Sequence, residues 1–195
     1  MLKIADTAIK EVKIIEPTTF RDNRGSFTET FNRADYAKYF QEDFFKENES
    51  SSRKGVIRGI HFQTGVHAQA KIVRIAYGKV RDVAVDLRMG SPTYGKHVVV
   101  ELSSENKHQL YIPRGFGHGF VALTDEVVMT YLMDNDYDKG SESGVIWNDP
   151  DLAVDWQLES HGITEIIVSE KDGQLKHFKD LPQEELFHYG LVGAP

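Results

Sequence analysis

Residues 56–74, VIRGIHFQTGVHAQAKIVR, hold the strands and polar side chains on which the interpretation of this chain depends. Alternation along an extended chain places His61 and Gln63 on one face of the first apolar segment, and it places Lys71 on the apolar face of the second. Residues 64–70 have the length and the glycine of a connection between strands. The stretch therefore predicts either a histidine and a lysine projecting from neighbouring strands into one concavity, or an exposed basic hairpin.

The chain after residue 56 continues as short segments rich in β-branched residues, separated by Gly, Pro, Asn or Ser. The predicted strands are 72–76, 80–87, 97–102, 109–112, 120–123 and 127–133. Within 80–87, Val83 and Val85 alternate with Asp82 and Asp86, which predicts a strand with one core face. Many short strands with almost no helix between them predict a β-sandwich or a β-barrel.

The chain before residue 56 reads as a strand with a turn over 4–17 and a hairpin over 19–31. Aromatic residues at helical spacing predict a helix over 32–45, with Asn32 as its N-cap. A second, short helix is predicted near 182–187. No repeat or linker divides the chain, so 195 residues with 40% hydrophobic content predict a single domain over 1–195.

Composition narrows the class of protein. No apolar run approaches the roughly 20 residues of a membrane span, and the N-terminus is not that of a signal peptide, so we expect no membrane partner. The chain contains no cysteine, which excludes disulfides and thiolate chemistry and fits a cytoplasmic location.

Charge is distributed unevenly along the chain. The net charge of −7 argues against nucleic-acid binding, yet residues 53–88 carry a local charge of +6. A basic segment in an acidic protein fits a focused site for a small anion, because the local field attracts a ligand to a cleft. The alternative is a set of solvated strand edges, where Lys and Arg discourage aggregation.

A second chemical stretch is 111–120, YIPRGFGHGF, whose glycines and proline predict a tight turn presenting His118. A lone histidine of this kind is more often a hydrogen-bonded structural residue. The spacing Pro-x-Gly-x-x-His resembles the second cupin motif, and cupins often bind a metal. A metal site needs about three converging ligands, whereas this chain has His61-Phe62-Gln63 in the first motif and a lysine nearby. We therefore expect no metal.

Several blocks together resemble the dTDP-4-dehydrorhamnose 3,5-epimerase family over about residues 4–172. These blocks are VIRGIHFQ, QAKIVR, DVAVDLR, GSPTYG, ELSSENKHQLYIPRGFGHGF and GVIWNDPDL. The resemblance implies an all-β, cupin-type double-stranded β-helix (jelly roll) with a few short peripheral helices. It further implies a homodimer to which the N-terminal strands, about 1–31, contribute, and a C-terminal helical tail over about 173–195. It implies no cofactor and, as substrate, a dTDP-linked 4-keto-6-deoxy sugar.

The resemblance also assigns catalytic roles that suit the chemistry. Protons at C3 and C5 of a 4-keto sugar are removable if the enolate is stabilised, and His61 matches the family's general base. Asp172 matches the carboxylate that orients the imidazole, and Lys71 matches the cation at the developing oxyanion. Tyr131 matches the acid that returns a proton on the opposite face, although without the resemblance it would read as a core tyrosine.

Substrate-binding roles follow from the same resemblance. Arg58, His118 and Lys171 match residues that hold the diphosphate and the sugar, and guanidinium groups suit phosphate oxygens. The remaining matches are Arg24 and Glu29, which the family donates across the dimer, Tyr137 as the aromatic that stacks on thymine, Glu142 as a further contact, and Lys46, Glu47 and Asn48 near the thymine.

Three positions depart from the family pattern: Lys46-Glu47-Asn48 replaces Gln-Asp-Asn, Leu132 replaces a common lysine, and a tyrosine pair is reduced to Asp136-Tyr137. Three functions therefore stand: inversion at both C3 and C5, a related C3-only epimerase or keto-isomerase, and a non-catalytic sugar-binding cupin. The third class would be expected to lose His61, Lys71 or Tyr131, and this chain keeps all three.

Overall fold

Most of the regular structure in the computed structural model, which describes residues 2–190, consists of short antiparallel strands in two facing sheets. The first sheet has the order β1-β2-β11-β7-β13-β5, formed by β1 (Lys3–Asp6), β2 (Lys13–Glu16), β11 (Gln109–Ile112), β7 (Lys71–Tyr77), β13 (Val127–Met133) and β5 (Lys46–Ser52). The second has the order β10-β8-β12-β6-β14, formed by β10 (His97–Ser103), β8 (Lys79–Asp86), β12 (Phe116–Ala122), β6 (Ile57–Gln63) and β14 (Glu142–Gly144).

The smaller elements lie outside these two sheets. They are the hairpin of β3 (Thr19–Asp22) and β4 (Gly25–Thr28), the parallel pair of β9 (Arg88–Met89) and β15 (Phe187–His188), and the one-turn helix α1 (Arg33–Tyr36). Single 3₁₀ turns occur at Gly65–His67, Lys139–Ser141, Glu159–His161, Asp172–Gln174, Phe178–Asp180 and Gln183–Glu185. The predicted all-β jelly roll with a few short peripheral helices is confirmed.

Apolar residues form three layers. Val73 of β7 and Phe120 of β12 belong to a cluster between the two sheets, to which both sheets contribute. A second cluster covers the outer face of the second sheet, where Val83 of β8 packs with Trp156 from the C-terminal segment. The inner layer fills only part of the space between the sheets, and the remaining part is the cavity described below.

The outer face of the first sheet is covered by the residues predicted as a long helix. Asn32 caps α1 as expected, because its Oδ1 accepts hydrogen bonds from the backbone N–H groups of Ala34 and Asp35. The prediction of a helix over 32–45 is wrong, because α1 ends at Tyr36. The spaced aromatic residues pack on the first sheet without forming a helix: the Phe40 ring stacks on Tyr111 of β11 at a centroid distance of 4.2 Å.

Two other local predictions need correction. The predicted turn around His118 is part of β12, which begins at Phe116 rather than at residue 120. Strand β8 is buried on both faces, because Asp82 and Asp86 are fully buried along with the apolar residues between them. A strand in the middle of a covered sheet has no solvent face, so its charged residues lie in the interior, where they need partners.

Residues 173–190 of the predicted C-terminal tail contain 3₁₀ turns and β15, and residues 191–195 lie outside the described part of the chain. Across residues 2–190, no helix is both long and apolar enough to cross a membrane.

Candidate active site

A cavity of about 310 Å³ opens between the two sheets, and both sheets contribute to its walls. Its lining residues are Asn48, Glu49, Ser50, Arg58, His61, Phe62, Gln63, Gln69, Lys71, His118, Gly119, Phe120, Tyr131, Met133, Tyr137 and Glu142. Four of its side chains can carry positive charge, and only two are carboxylates. The walls therefore combine apolar surface with polar groups able to bind a small polar ligand.

The cavity confirms the predicted concavity and corrects its construction. His61 lies on β6 and Lys71 lies on β7, and both side chains line the cavity. These strands belong to opposite sheets, so the prediction of neighbouring strands is wrong, as is the alternative of an exposed basic hairpin. The connection at 64–70 is long enough to pass from one sheet to the other, which alternation within each strand could not reveal.

His61 is held from behind by Asp172. Its Nε2 lies 2.7 Å from Oδ1 of Asp172, and the other carboxylate oxygen accepts a hydrogen bond of 3.0 Å from the backbone N–H of Gly59. Burial alone would raise the pKa of Asp172, but the hydrogen bonds from His61 and Gly59 lower it below its ordinary value. Asp172 is therefore an ionised carboxylate that holds the imidazole in position.

Gly59 makes this arrangement possible. Its φ of +102° belongs to a backbone region that favours glycine, and a Cβ atom there would lie 2.5 Å from the carbonyl oxygen of His118. Strands β6 and β12 consequently approach closely at this point. A larger residue would displace the N–H group that Asp172 accepts from.

Lys71 contributes an ammonium group to the opposite wall. Burial lowers its pKa to about 8, against the attraction of the carboxylates of Asp82 and Glu142. The residue is half-buried and lines the cavity. A weakly hydrated cation of this kind interacts strongly with any negative charge that develops in the cavity.

His118 of β12 and Tyr131 of β13 approach each other from opposite sheets, with ring centroids 6.1 Å apart. Nε2 of His118 lies 3.0 Å from a carboxylate oxygen of Asp82, which is fully buried. The hydroxyl of Tyr131 is 2.9 Å from Oγ of Ser50, and burial raises the pKa of Tyr131 to about 12. Tyr131 therefore keeps its proton at neutral pH and can donate it.

Several predicted binding residues lie at the cavity mouth. Glu142 accepts a 2.7 Å hydrogen bond from the hydroxyl of Tyr137 and forms an ion pair with Lys171. Burial would raise the pKa of Glu142, but these two partners lower it. Arg58 crosses from the second sheet to the first, where it donates to Oγ of Ser52 at 3.1 Å. Cationic and aromatic groups thus surround the opening.

Six predicted residues do not line the cavity: Asp172 and Lys171, which contact the lining residues His61 and Glu142, and the four described next. Lys46 pairs with Asp136 at its rim, and the neighbouring Glu47 is exposed on β5. Arg24 forms an exposed ion pair with Asp22 on the β3–β4 hairpin, and Glu29 follows that hairpin. A contribution of Arg24 and Glu29 to the site of a second subunit stays a prediction.

Sequence reasoning missed Asp82, Ser50 and Phe120. Asp82 has a sequence signal, a carboxylate inside an apolar strand, but alternation predicts a polar face there, and burial of both faces of β8 overrides that prediction. Ser50 lies on β5 opposite Met129, in a polar stretch without any pattern typical of a site. Gln63 and Gln69 also line the cavity and are buried, and no sequence pattern predicts a role for either.

The side chains present do not resemble a metal site. Among residues 2–190, no three His, Cys, Asp or Glu side chains are grouped so that they could hold a metal ion. The cavity offers His61 and His118 together with the ammonium of Lys71, and that cation would repel a divalent ion.

Comparison with known proteins gives a consistent picture. The family model described as dTDP-4-dehydrorhamnose 3,5-epimerase matches residues 6–180. A dTDP-4-dehydrorhamnose 3,5-epimerase of Shigella flexneri is 43% identical over 185 residues, which cover 92% of this chain and 97% of that protein.

Two solved structures are informative. The dTDP-6-deoxy-D-glucose-3,5-epimerase of Legionella pneumophila Philadelphia 1, in complex with dTDP-4-keto-L-rhamnose, has a TM-score of 0.92 and 40% identity, covering 97% of this chain and 99% of its own. A 3'-monoepimerase of Streptomyces bikiniensis, in complex with dTDP-quinovose, has a TM-score of 0.86 and 29% identity, with coverages of 94% and 92%. Fold, family model and sequence identity over nearly the whole chain agree: this chain is an epimerase that belongs to the dTDP-4-dehydrorhamnose 3,5-epimerase family.

Proposed function

We propose that this chain epimerises dTDP-4-dehydro-6-deoxy-D-glucose at C3 and C5 to dTDP-4-dehydro-L-rhamnose without a cofactor or metal. The observation that carries the proposal is the grouping of His61, Lys71 and Tyr131 around one cavity, with Asp172 behind His61. Base, oxyanion-stabilising cation and acid are the three groups that inversion next to a ketone needs.

The first step is removal of a carbon-bound proton. The C–H bonds at C3 and C5 flank the C4 ketone, so their electrons pass into an enolate as His61 accepts the proton. The nitrogen that takes the proton is Nδ1, because Nε2 is engaged with Asp172. The carboxylate of Asp172 stabilises the resulting imidazolium, as the third member of a catalytic triad does.

The second step returns a proton to the other face of the same carbon. Lys71 stabilises the negative charge on O4, and this kind of electrostatic contribution is often the largest in such reactions. Tyr131 donates its hydroxyl proton, collapsing the enolate to the ketone with inverted configuration. His61 then releases the abstracted proton to solvent and Tyr131 takes one up from solvent, after which the other carbon reacts in the same way.

Binding roles complete the proposal. Arg58, His118 and Lys171 hold the diphosphate and the sugar, and Tyr137 stacks on the thymine with Glu142 beside it. Asn48 lines the cavity on the nucleotide side, with Lys46 and Glu47 as its neighbours on β5. Arg24 and Glu29 reach the cavity of the second subunit in a homodimer, and the location is cytoplasmic.

Incubation with dTDP-4-keto-6-deoxyglucose in D₂O, followed by NMR, tests the reaction. Each inversion replaces a carbon-bound hydrogen with deuterium, so we expect label at both C3 and C5 and the L-rhamno configuration. Label at C3 alone would establish the C3-only reaction, and migration of the ketone would establish the keto-isomerase. Binding without any labelling would establish the non-catalytic cupin.

A further inference from the structure

Two buried glutamines in the cavity have no role in the proposed reaction. Gln63 is the last residue of β6, two positions after His61, and Gln69 precedes β7, two positions before Lys71. Residues two apart on a strand share a face and lie about 7 Å apart. Gln63 therefore lies beside His61, Gln69 lies beside Lys71, and both amides contact the same rim segment.

Backbone partners fix the orientation of each amide. Oε1 of Gln63 accepts a 2.8 Å hydrogen bond from the backbone N–H of Asp138, and Nε2 of Gln69 donates at 3.0 Å to the carbonyl of Asn135. A backbone N–H requires the oxygen of an amide, and a carbonyl requires its nitrogen, so neither group can be flipped. The two glutamines are therefore held in opposite senses by the rim segment 134–138.

One polar atom of each amide remains for a ligand. Nε2 of Gln63 and Oε1 of Gln69 form no hydrogen bond with any residue in 2–190, yet no buried side-chain nitrogen or oxygen there lacks a partner. Both atoms are therefore accessible, and both residues line the cavity. The cavity thus presents one fixed donor and one fixed acceptor beside the catalytic groups.

We propose that Gln63 and Gln69 form hydrogen bonds with one neutral ring hydroxyl of the hexose. The hydroxyl donates to Oε1 of Gln69 and accepts from Nε2 of Gln63. A hydroxyl is the group that donates and accepts at once, whereas a carbonyl only accepts and a methyl does neither. The inference rests on the proposed function, which supplies the position: C4 is a ketone, C6 is a methyl and C3 is inverted. The hydroxyl at C2 keeps its configuration throughout and is the one assigned.

Comparison of the substrate with its 2-deoxy analogue, dTDP-4-keto-2,6-dideoxyglucose, tests the assignment. A neutral hydrogen bond contributes about 0.5–1.5 kcal/mol, so two bonds predict that wild-type kcat/KM falls roughly 5- to 150-fold without the hydroxyl. In Gln63→Met or Gln69→Met the ratio of the two kcat/KM values should shrink several-fold, and in the double variant it should approach one. Other effects of each substitution act on both substrates and leave the ratio unchanged.

Asn135→Ala is the matched control, because Asn135 holds the same rim segment through the carbonyls of Val66 and Ala68 without lining the cavity. It should change both kcat/KM values alike. A ratio unaffected by either glutamine variant, or lowered equally by Asn135→Ala, would overturn the assignment. Should Gln63→Met fail to fold in thermal melts, Gln69→Met carries the same comparison. If the wild type labels neither carbon of the normal substrate, the proposed function fails rather than this inference.

Discussion

Replacement of Asp172 by asparagine alters one atom in the contact with His61 and tests how the base is prepared. The buried N–H of Gly59 needs an acceptor, because leaving it unpaired would cost about 1–3 kcal/mol. The oxygen of the introduced amide would therefore face Gly59, and its NH₂ group would face Nε2 of His61. Nε2 must then accept, which places the imidazole proton on Nδ1, the nitrogen that has to act as the base.

The magnitude follows from the bond that is lost. A hydrogen bond to a charged group contributes about 1.5–3 kcal/mol, which corresponds to roughly 10- to 150-fold in rate once the imidazolium loses its counter-ion. The unfavourable tautomer adds to this loss. We therefore expect kcat of Asp172→Asn to fall about 10²-fold, less than for His61→Ala, whose loss should reach the roughly 10²–10⁴-fold of general acid–base catalysis. Both variants should bind dTDP normally.

The assay is the initial rate of epimerisation by NMR, with dTDP affinity by calorimetry and folding by thermal melts. Asp149→Asn is a matched control: Asp149 is buried and accepts from Nδ1 of His177 at 3.1 Å, away from the cavity. It should lower stability and leave kcat of the folded enzyme unchanged. A folded Asp172→Asn enzyme within about threefold of wild-type kcat would refute the tautomer argument. Even a tenfold loss corresponds to about 1.4 kcal/mol, which is already below the smallest energy expected for the lost bond.

The remaining predictions concern pH, metals, the acid and the dimer. Because the pKa of Lys71 is lowered to about 8, its ammonium loses its proton as pH rises through that value, and kcat/KM should fall on the basic side near pH 8. Lys71→Arg should move this basic limb of the pH profile to higher pH. An unchanged limb would assign it to another group. Exhaustive chelation should leave activity intact, and loss restored by a divalent ion would contradict the metal-free proposal. Tyr131→Phe should still exchange protons on the His61 face in D₂O but stop short of inversion, most visibly at C5; full inversion would exclude Tyr131 as the acid. Mixing inactive Arg24→Ala and His61→Ala chains should restore part of the activity through one intact hybrid site, and no recovery after verified subunit exchange would mean that Arg24 serves its own chain.

The sequence predicted strands better than it predicted their neighbours. The range 127–133 coincides with β13 and 109–112 coincides with β11, because β-branched runs between turn residues have a local cause. The assignment of β6 and β7 to opposite sheets has no local cause, because it depends on their pairing with strands that are distant in sequence. The helix over 32–45 failed for a related reason: aromatic spacing reports burial of one side, and an irregular segment packed on a sheet satisfies it as well.

The resemblance paired candidate site residues that are distant in sequence, and their catalytic roles stay predictions. Nothing local links His61 to Asp172, 111 residues later, and the structure brings them to 2.7 Å. Asp82 and the glutamines required the structure, because their roles depend on which face is interior. The hairpin residues Arg24 and Glu29 depend on a second chain and stay predictions.

The segment that carries Asp172 has a consequence for the order in which this enzyme gains and loses activity. Residues 145–190 contain only single 3₁₀ turns, isolated bridges and the two-residue β15, so turn hydrogen bonds and apolar side chains packed on the second sheet hold this segment in place, rather than a long strand ladder. During synthesis the strands of both sheets leave the ribosome before this segment, and until it follows, the outer face of the second sheet is uncovered and His61 lacks its carboxylate. Under mild denaturation, local opening of this segment would uncover the same sheet face and separate Asp172 from His61, so turnover should fall as soon as the segment detaches.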